Sequence, residues 1–151
     1  MKNLIVFDID GCIVDPSRRL HHLRRGDIDA YAGAWQTDTI LTAGVTVYRA
    51  MLSRVDLRHV FVTGRPEADR KGTLSQLTAL FGPSSLGTTV LMRPNGMLPS
   101  VVPDEKLKPK LLTDAGFKVE DVLVVFEDRQ KIVDAWRAMG VTVFQTAKGD
   151  F

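Results

Sequence analysis

Short runs of apolar residues alternate along the chain with segments whose apolar residues recur at helical spacing. The runs are 4–7, 57–62, 88–92, 122–126 and 141–145. Runs of this length, rich in β-branched and aromatic residues, are typical of strands buried on both faces of a parallel sheet. The helical segments are 44–55, 66–82, 109–116 and 130–140. Strands alternating with helices predict an α/β fold, a doubly wound, Rossmann-like parallel five-stranded sheet in one domain spanning 1–151.

The first run leads directly into two acids, Asp8 and Asp10. Ligands of open α/β sheets bind outside the carboxyl ends of the strands, so a buried strand that ends in acids predicts a site there. Asp8 and Asp10 alternate with Ile9, which at strand spacing points both side chains the same way. Gly11 permits a sharp turn. Taken alone, the stretch is equally consistent with a strand followed by an acidic turn.

Polar clusters follow three of the five runs. They are Asp8/Asp10, Thr63-Gly64-Arg65 and Glu127-Asp128-Arg129. A parallel sheet brings these ends to one edge, which favours a common site. Pro66 is predicted in the first turn of a helix. Lys108 is predicted at a helix entrance, because the residue before a proline, here Pro109, is disfavoured in helical conformation.

Residues 12–42 separate the first strand from the next helix and predict a small helical lid over the acidic strand end. A basic stretch at 17–25 holds four arginines and two histidines. It could contact a nucleic acid backbone or form a solvated helical face. Tyr31 and Trp35, at helical spacing within 27–35, could stack a base or form the core of the lid.

Composition sets broad limits. With 44% hydrophobic and 25% charged residues, the chain is typical of a soluble globular protein. A net charge of +2 does not by itself indicate a nucleic acid partner. The single cysteine, Cys12, excludes an internal disulfide and is compatible with a reducing compartment. We expect no signal peptide, no membrane span and a cytoplasmic location.

Several carboxylates in one pocket repel one another. At a few ångströms each pair costs on the order of 4 kcal/mol at an effective dielectric near 20. One lysine cannot offset this repulsion, whereas a divalent cation can, and hard oxygen ligands favour Mg²⁺. We therefore predict a magnesium site made mainly by Asp8 and Asp128. Asp10 and Glu127 are further candidate ligands, and Glu127 could instead orient a neighbour.

This set of residues suits phosphoryl chemistry. A carboxylate such as Asp8 can attack phosphorus and form an aspartyl-phosphate. Asp10 can protonate the leaving alkoxide and later deprotonate the attacking water. Thr63 and the backbone N–H of Gly64 can hold phosphate oxygens, and Lys108 can neutralise phosphoryl charge.

Three assignments stay open at this level. Arg65 and Arg129 could each bind substrate or pair with a carboxylate. The lysine of the site could be Lys106 or Lys110, although the position before Pro109 favours Lys108.

The clusters, taken in chain order, resemble the four motifs of haloacid dehalogenase (HAD) superfamily phosphatases. The matching residues are Asp8-Ile9-Asp10-Gly11, Thr63-Gly64-Arg65, Lys108 and Glu127-Asp128. The resemblance covers essentially the whole chain. It implies Mg²⁺, strand order 5-4-1-2-3, a nucleophilic first Asp and an acid/base second Asp.

The C-terminal third has a narrower resemblance, to the phosphatase half of bacteriophage polynucleotide kinase–phosphatases. It is carried by Phe126-Glu127-Asp128-Arg129-Gln130, Val133-Asp134-Ala135-Trp136-Arg137, Met139-Gly140-Val141 and the ending 145–151. This resemblance implies removal of 3′-phosphates from nucleic acid ends and a phage origin. Two residues depart from the pattern: Cys12 replaces the usual Thr, and Glu127 replaces an Asp.

We therefore expect a Mg²⁺-dependent phosphatase acting on polynucleotide 3′-phosphate ends. The first alternative is the same chemistry on a small phosphorylated metabolite or nucleotide. A second is a non-enzymatic phosphoacceptor like a receiver domain, which also combines such a sheet with an acidic pair, a Thr and a Lys. Receivers carry the phosphorylated Asp at the end of the third strand, where this chain has Met92-Arg93-Pro94.

Overall fold

The five apolar runs form one parallel sheet in the computed structural model, which describes residues 2–149. In chain order the elements are β1 (Leu4–Phe7), β2 (Val14–Asp15), α1 (Leu20–Arg24), α2 (Ile28–Gly33), β3 (Thr39–Ile40), α3 (Thr42–Leu52), β4 (Arg58–Pro66), α4 (Arg70–Phe81), β5 (Thr89–Arg93), α5 (Asp104–Asp114), β6 (Val122–Arg129), α6 (Gln130–Ala138) and β7 (Val143–Gly149). The sheet order is β5-β4-β1-β6-β7, and every pairing is parallel. Counted among themselves, these strands run 3-2-1-4-5. This is the predicted 5-4-1-2-3 order read from the opposite edge, so the doubly wound fold is confirmed.

The central strand β1 contributes to both hydrophobic layers, because successive side chains of a strand point to opposite faces. Ile5 and Phe7 pack on one face with residues of α3 and α4. Leu4 and Val6 pack on the other face with residues of α5 and α6. All four are at most 2% exposed. This burial on both faces explains why β1 reads as a continuous apolar run.

The expected helical position of Pro66 is wrong. β4 continues through Thr63, Gly64 and Arg65 and includes Pro66, whose φ of −68° and ψ of 148° are extended. A 3₁₀ turn at Glu67–Asp69 then precedes α4. A proline φ near −65° fits an extended strand end as well as a first helical turn, so ψ, which sequence does not fix, separates the two.

The expected helix entrance at Lys108 is also wrong. α5 begins at Asp104, and Lys108 and Pro109 lie inside it. Asp104 and Glu105 stand in the first turn, where acids complement the helix dipole. Burial of Leu107, Pro109 and Leu112 outweighs the backbone hydrogen bond that Pro109 cannot donate.

The segment 12–42 connects β1 to the start of α3. It contains the small antiparallel pair β2–β3 and the short helices α1 and α2. A Cβ on Gly44 would lie 1.6 Å from the carbonyl oxygen of Cys12, so the start of α3 packs directly against the loop after β1. We call residues 12–42 the lid. Within 2–149, no helix is both long and apolar enough to span a membrane.

Candidate active site

Asp8 is the first residue beyond β1, and its backbone extends the sheet pairing. Its N–H donates to the carbonyl of Phe126 over 3.0 Å. Its Oδ1 accepts a 2.8 Å hydrogen bond from the N–H of Ile9. Its Oδ2 lies 2.8 Å from the Lys108 Nζ, which α5 supplies from the neighbouring layer. The carboxylate is therefore fixed by the strand behind it and the helix beside it.

Lys108 also binds Glu127, at the end of β6. Its Nζ donates to Glu127 Oε2 over 2.7 Å. Glu127 Oε1 accepts from the N–H groups of Asp128 and Arg129 over 3.2 and 3.3 Å. Both oxygens of Glu127 are thus engaged within the protein. Of the three lysines considered, Lys108 is 2% exposed, whereas Lys106 and Lys110 are exposed.

The Asp128 carboxylate has a different environment. It is buried beside Asp8, and its Oδ1 has no hydrogen-bond partner. The absence of a side chain at Gly11 makes room for it, because a Cβ there would lie 2.1 Å from Asp128 Oδ2. Gly11 also has a φ of +82°, which disfavours other residues. A buried carboxylate oxygen without a partner is costly and is suited to a cation.

The acids around Lys108 carry more negative charge than it can neutralise. Burial and then Glu127 raise the pKa of Asp8 well above its usual value, despite the contact with Lys108. Burial raises the pKa of Glu127 to about 7. Burial and then Asp8 raise the pKa of Asp128 to about 6. Burial is the largest cause of each shift and a neighbouring carboxylate adds to it, which favours binding of a proton or a cation.

Asp10 is instead surrounded by arginines. Its Oδ1 lies 2.8 Å from one terminal nitrogen of Arg65 and 2.7 Å from one of Arg19. Burial alone would raise the pKa of Asp10, but Arg65 and Arg19 outweigh it and hold the pKa below its usual value. Asp8 and Asp10 line the same cleft, as expected, although the strand ends at Phe7 and a turn carries Asp10 there.

Arg65 and Arg129 could each bind substrate or a carboxylate from the sequence alone, and in the structure both bind carboxylates. Arg65 pairs with Asp10, and one terminal nitrogen of Arg129 lies 2.9 Å from Asp104. Asp104 also pairs with Arg93 over 2.5 Å. A Cβ on Gly64 would lie 2.5 Å from Asp104 Oδ1, so the glycine lets this acid approach β4.

Six of the sequence-predicted residues line the cleft: Asp8, Asp10, Gly64, Arg65, Lys108 and Arg129. Three others lie behind it and are at most 3% exposed: Thr63, Glu127 and Asp128. The Thr63 hydroxyl oxygen accepts from the N–H of Arg65 over 3.2 Å. The structure thus brings all nine residues to one edge of the sheet, in two layers.

Sequence reasoning did not single out Arg19 or Asp104. Arg19 is 1% exposed, and its guanidinium binds Asp10, Asp38 and the carbonyl of Tyr31. In the sequence it is one of four arginines in a basic stretch, three of which are exposed. Helical spacing gave no signal, because a 3₁₀ turn at 17–19 directs Arg19 inward. Asp104 binds Arg93 and Arg129, but in the sequence it is one of two acids in a first helical turn, where acids are common for helix-dipole reasons alone.

The residues present fit a divalent cation. Among residues 2–149, one group of acids brings its ligand atoms within 4.8 Å of one another, namely Asp8, Glu127 and Asp128. The unpartnered Asp128 oxygen and the space left by Gly11 mark one side of it. Glu127 is engaged as described, which favours its orienting role. Asp10 lies outside this group and pairs with Arg19 and Arg65.

Asp128→Asn is expected to raise the Mg²⁺ concentration needed for half-maximal thermal stabilisation by at least about tenfold. The reason is that the amide removes the charge of the buried Asp128 carboxylate, whose Oδ1 lacks a hydrogen-bond partner. The measurement is unfolding temperature against Mg²⁺ concentration, with Asp114→Asn, an exposed acid paired with Lys110, as the matched control. Equal Mg²⁺ dependence in the wild type and Asp128→Asn would remove Asp128 as a ligand.

The sheet order, the acidic strand ends and the buried lysine agree with the fold and motifs of HAD superfamily phosphatases. A family model described as "Polynucleotide kinase PNKP phosphatase domain" matches residues 2–151. The chain belongs to this family of phosphatase domains. No curated protein matches it. Of the C-terminal ending that resembles the phage enzymes, Asp150 and Phe151 lie outside the described residues.

Solved structures share the fold. A chain of "Structure of Pnkp1/Rnl/Hen1 complex" is 21% identical with a TM-score of 0.69, covering 100% of this chain and 48% of that one. A haloacid dehalogenase-like hydrolase from Streptococcus pneumoniae is 11% identical with a TM-score of 0.61, covering 95% and 84%. A HAD family enzyme from Bacteroides thetaiotaomicron, described in complex with magnesium and inorganic phosphate, is 8% identical with a TM-score of 0.56, covering 96% and 94%. The chain thus spans about half the length of the Pnkp1-complex chain it matches.

Proposed function

We propose that the protein hydrolyses phosphate monoesters through an aspartyl-phosphate on Asp8, with Mg²⁺, and that its substrates are polynucleotide 3′-phosphate ends. The observation that carries the proposal is the position of Asp8. Its carboxylate lines a cleft, is held by Lys108, and shares that cleft with the guanidinium groups of Arg19, Arg65 and Arg129. A nucleophilic carboxylate surrounded by cations suits an anionic phosphoryl group.

The chemistry would proceed in two displacements. Asp8 Oδ attacks phosphorus, the bond to the leaving oxygen breaks, and Asp10 gives that oxygen a proton. A water molecule, deprotonated by Asp10, then attacks the aspartyl-phosphate and releases inorganic phosphate. Lys108 holds the orientation of Asp8 throughout. Asp8 and Asp128 would hold Mg²⁺, which when bound neutralises charge on the phosphoryl oxygens.

The arginines around Asp10 bear on both of its roles. Without substrate, Arg19 and Arg65 stabilise the Asp10 carboxylate, the form that a general base needs. A phosphate dianion entering the cleft would compete with Asp10 for the same guanidinium groups. Weaker arginine contacts would favour the protonated acid in the first displacement.

Two observations bear on the size of the substrate. The Asp10 side chain, the most exposed charged side chain lining the cleft, is only 16% exposed. The lid covers the cleft with Ile28, Tyr31 and Ala32, and Pro99 covers it from the segment 94–103, which we call the flap. This closure favours the second candidate function, hydrolysis of a small phosphate ester. Support for a polynucleotide comes from the family and from the "RNA repair complex" named for another matching chain, of which this chain covers 44%.

Ser100 of the flap is hydrogen-bonded to Asp29 of the lid. Ser100 donates its N–H and its hydroxyl to the Asp29 carboxylate over 3.2 and 2.9 Å. Replacing both residues with Ala should lower the KM for a 3′-phosphorylated oligonucleotide by about fivefold, because the open form becomes more populated. The KM for a small aryl phosphate should not change. Equal effects on both substrates would show that the pair does not control access.

The test of the proposed function is phosphate release from a 3′-phosphorylated oligonucleotide. It is run beside the 5′-phosphorylated oligonucleotide and small phosphate esters, with Mg²⁺ or chelator, and with Asp8→Asn as the blank. Mg²⁺-dependent release selective for the 3′-phosphate supports the proposal. Release from small esters alone would keep the chemistry and discard the nucleic acid substrate. No release from any ester would overturn the enzymatic proposal and favour a phosphoacceptor.

A further inference from the structure

The two arginines that bind Asp10 each lie against an aromatic ring of the lid. The guanidinium carbon of Arg19 is 4.5 Å from the centre of the Tyr31 ring, and that of Arg65 is 4.2 Å from the Trp35 ring. Arg19 and Tyr31 both belong to the lid. Arg65 belongs to β4, so its contact with Trp35 joins the lid to the sheet edge that carries the site.

The Arg65 guanidinium donates hydrogen bonds from its edges and packs its face against Trp35. Its Nε and one terminal nitrogen donate to Asp10 over 2.8 to 3.3 Å. The other terminal nitrogen donates to Gln76 over 2.8 Å and to Thr73 over 3.4 Å. Trp35 covers the guanidinium face. Hydrogen bonds at the edges still allow the plane to tilt, and a ring stacked on the face limits that tilt.

Trp35 is itself held in place from both ends. Its indole N–H donates to Asp69 Oδ2, at the N-terminal side of α4, over 2.7 Å. The far edge of its ring packs against Gly72, where a Cβ would lie 2.9 Å from the ring. The side chain is 7% exposed. This burial leaves little surface on which a base could stack, so Trp35 acts within the protein.

We infer that Trp35 is a positioning residue: it holds the Arg65 guanidinium in the orientation that directs Asp10 toward the leaving group. The inference rests on the proposed function, because it assigns to Trp35 a role in the proton transfer by Asp10. Loss of this positioning should slow the reactions whose leaving group needs a proton more than those whose leaving group does not. An alkoxide leaving group needs the proton from Asp10, whereas a nitrophenolate leaves without one.

The test compares two small substrates with leaving groups of high and low pKa, an alkyl phosphate and nitrophenyl phosphate. Trp35→Leu should lower kcat for the alkyl phosphate by about tenfold more than kcat for nitrophenyl phosphate. Trp35→Phe keeps an aromatic face and loses the N–H. It should therefore recover most of the kcat for the alkyl phosphate that Trp35→Leu loses. Trp35→Leu should add little to Arg65→Lys, because both changes act through one guanidinium.

The matched control is Trp136→Leu, which makes the same chemical change in the core formed with α5 and α6. This variant, or Trp136→Phe if the Leu form does not fold, should lower both rates equally, in proportion to folded protein. If Trp35→Leu also lowers both rates equally, Trp35 is only a structural residue and the inference is overturned. If wild-type protein with Mg²⁺ releases phosphate neither from these two esters nor from the 3′-phosphorylated oligonucleotide, the proposed function has failed, a result distinct from equal losses in an active enzyme.

Discussion

Asp8→Asn is expected to abolish phosphate release from every ester that the wild-type protein hydrolyses, with a loss of about four orders of magnitude or more. The amide keeps the shape of the side chain but cannot form an aspartyl-phosphate. The fold should persist, because Lys108 retains Glu127 as a partner and one of three mutually repelling carboxylates is removed. The measurement is initial rate with Mg²⁺, together with unfolding temperature.

A second readout separates loss of the nucleophile from loss of the metal site. Wild-type protein quenched during turnover should carry a phosphoryl group on the peptide that contains Asp8, and Asp8→Asn should carry none. Asp56→Asn, an exposed acid paired with Arg54, is the control for a general effect of removing an Asp. A wild-type rate in Asp8→Asn would remove Asp8 as nucleophile and, with it, the two-step mechanism.

The sequence predicted the sheet and the meeting of the acidic and polar residues at one edge of it, because both depend on short-range patterns; the roles of those residues stay predictions. Buried strands produce apolar runs, and parallel strands bring their carboxyl ends to one edge. Asp8, Thr63 and Glu127 could therefore be assigned to one region from their positions after the apolar runs. The length of chain between two clear elements predicted a connecting segment there, and its role as a lid stays a prediction.

Sequence patterns did not predict the partners of the charged side chains. The inward direction of Arg19 depends on a 3₁₀ turn, and its neighbours Arg18 and Arg24 have similar sequence surroundings but are exposed. From the sequence alone, one lysine faces all the acids of the site. In the structure Arg19 and Arg65 neutralise Asp10, so the excess of negative charge lies with the other three carboxylates. A cation is still expected, and its expected site is limited to the group formed by Asp8, Glu127 and Asp128.

Lys108 lies beside Asp8 and Glu127, although the element boundary from which it was assigned is wrong. The proline rule placed it at a helix entrance, whereas it lies in the second turn of α5. One helical turn after Asp104, a side chain on the inner face of α5 reaches Asp8 and Glu127. Lys106 and Lys110, two residues to either side, point away from that face because of the 3.6-residue helical period.

Lys108→Ala should therefore cause the largest combined loss of stability and activity among the three lysine variants. Without Mg²⁺ it removes the ammonium that lies 2.8 Å from Asp8 and 2.7 Å from Glu127, which leaves buried carboxylates unpaired. Breaking a buried pair from one side costs about 3–5 kcal/mol in the free energy of unfolding. Lys106→Ala and Lys110→Ala, at exposed positions, should change it by about 0.5 kcal/mol or less.

Chemical denaturation at low and high Mg²⁺ tests both parts of this expectation. Mg²⁺ should recover part of the stability lost in Lys108→Ala, because a cation bound by Asp8 and Asp128 offsets charge that Lys108 no longer neutralises. Activity should not return with stability, because the orientation of Asp8 and the positive charge facing the phosphoryl group are both missing. Full recovery of activity in Mg²⁺ would reduce Lys108 to a structural counterion. If Lys106→Ala lost more stability and activity than Lys108→Ala, a different face of α5 would face the site.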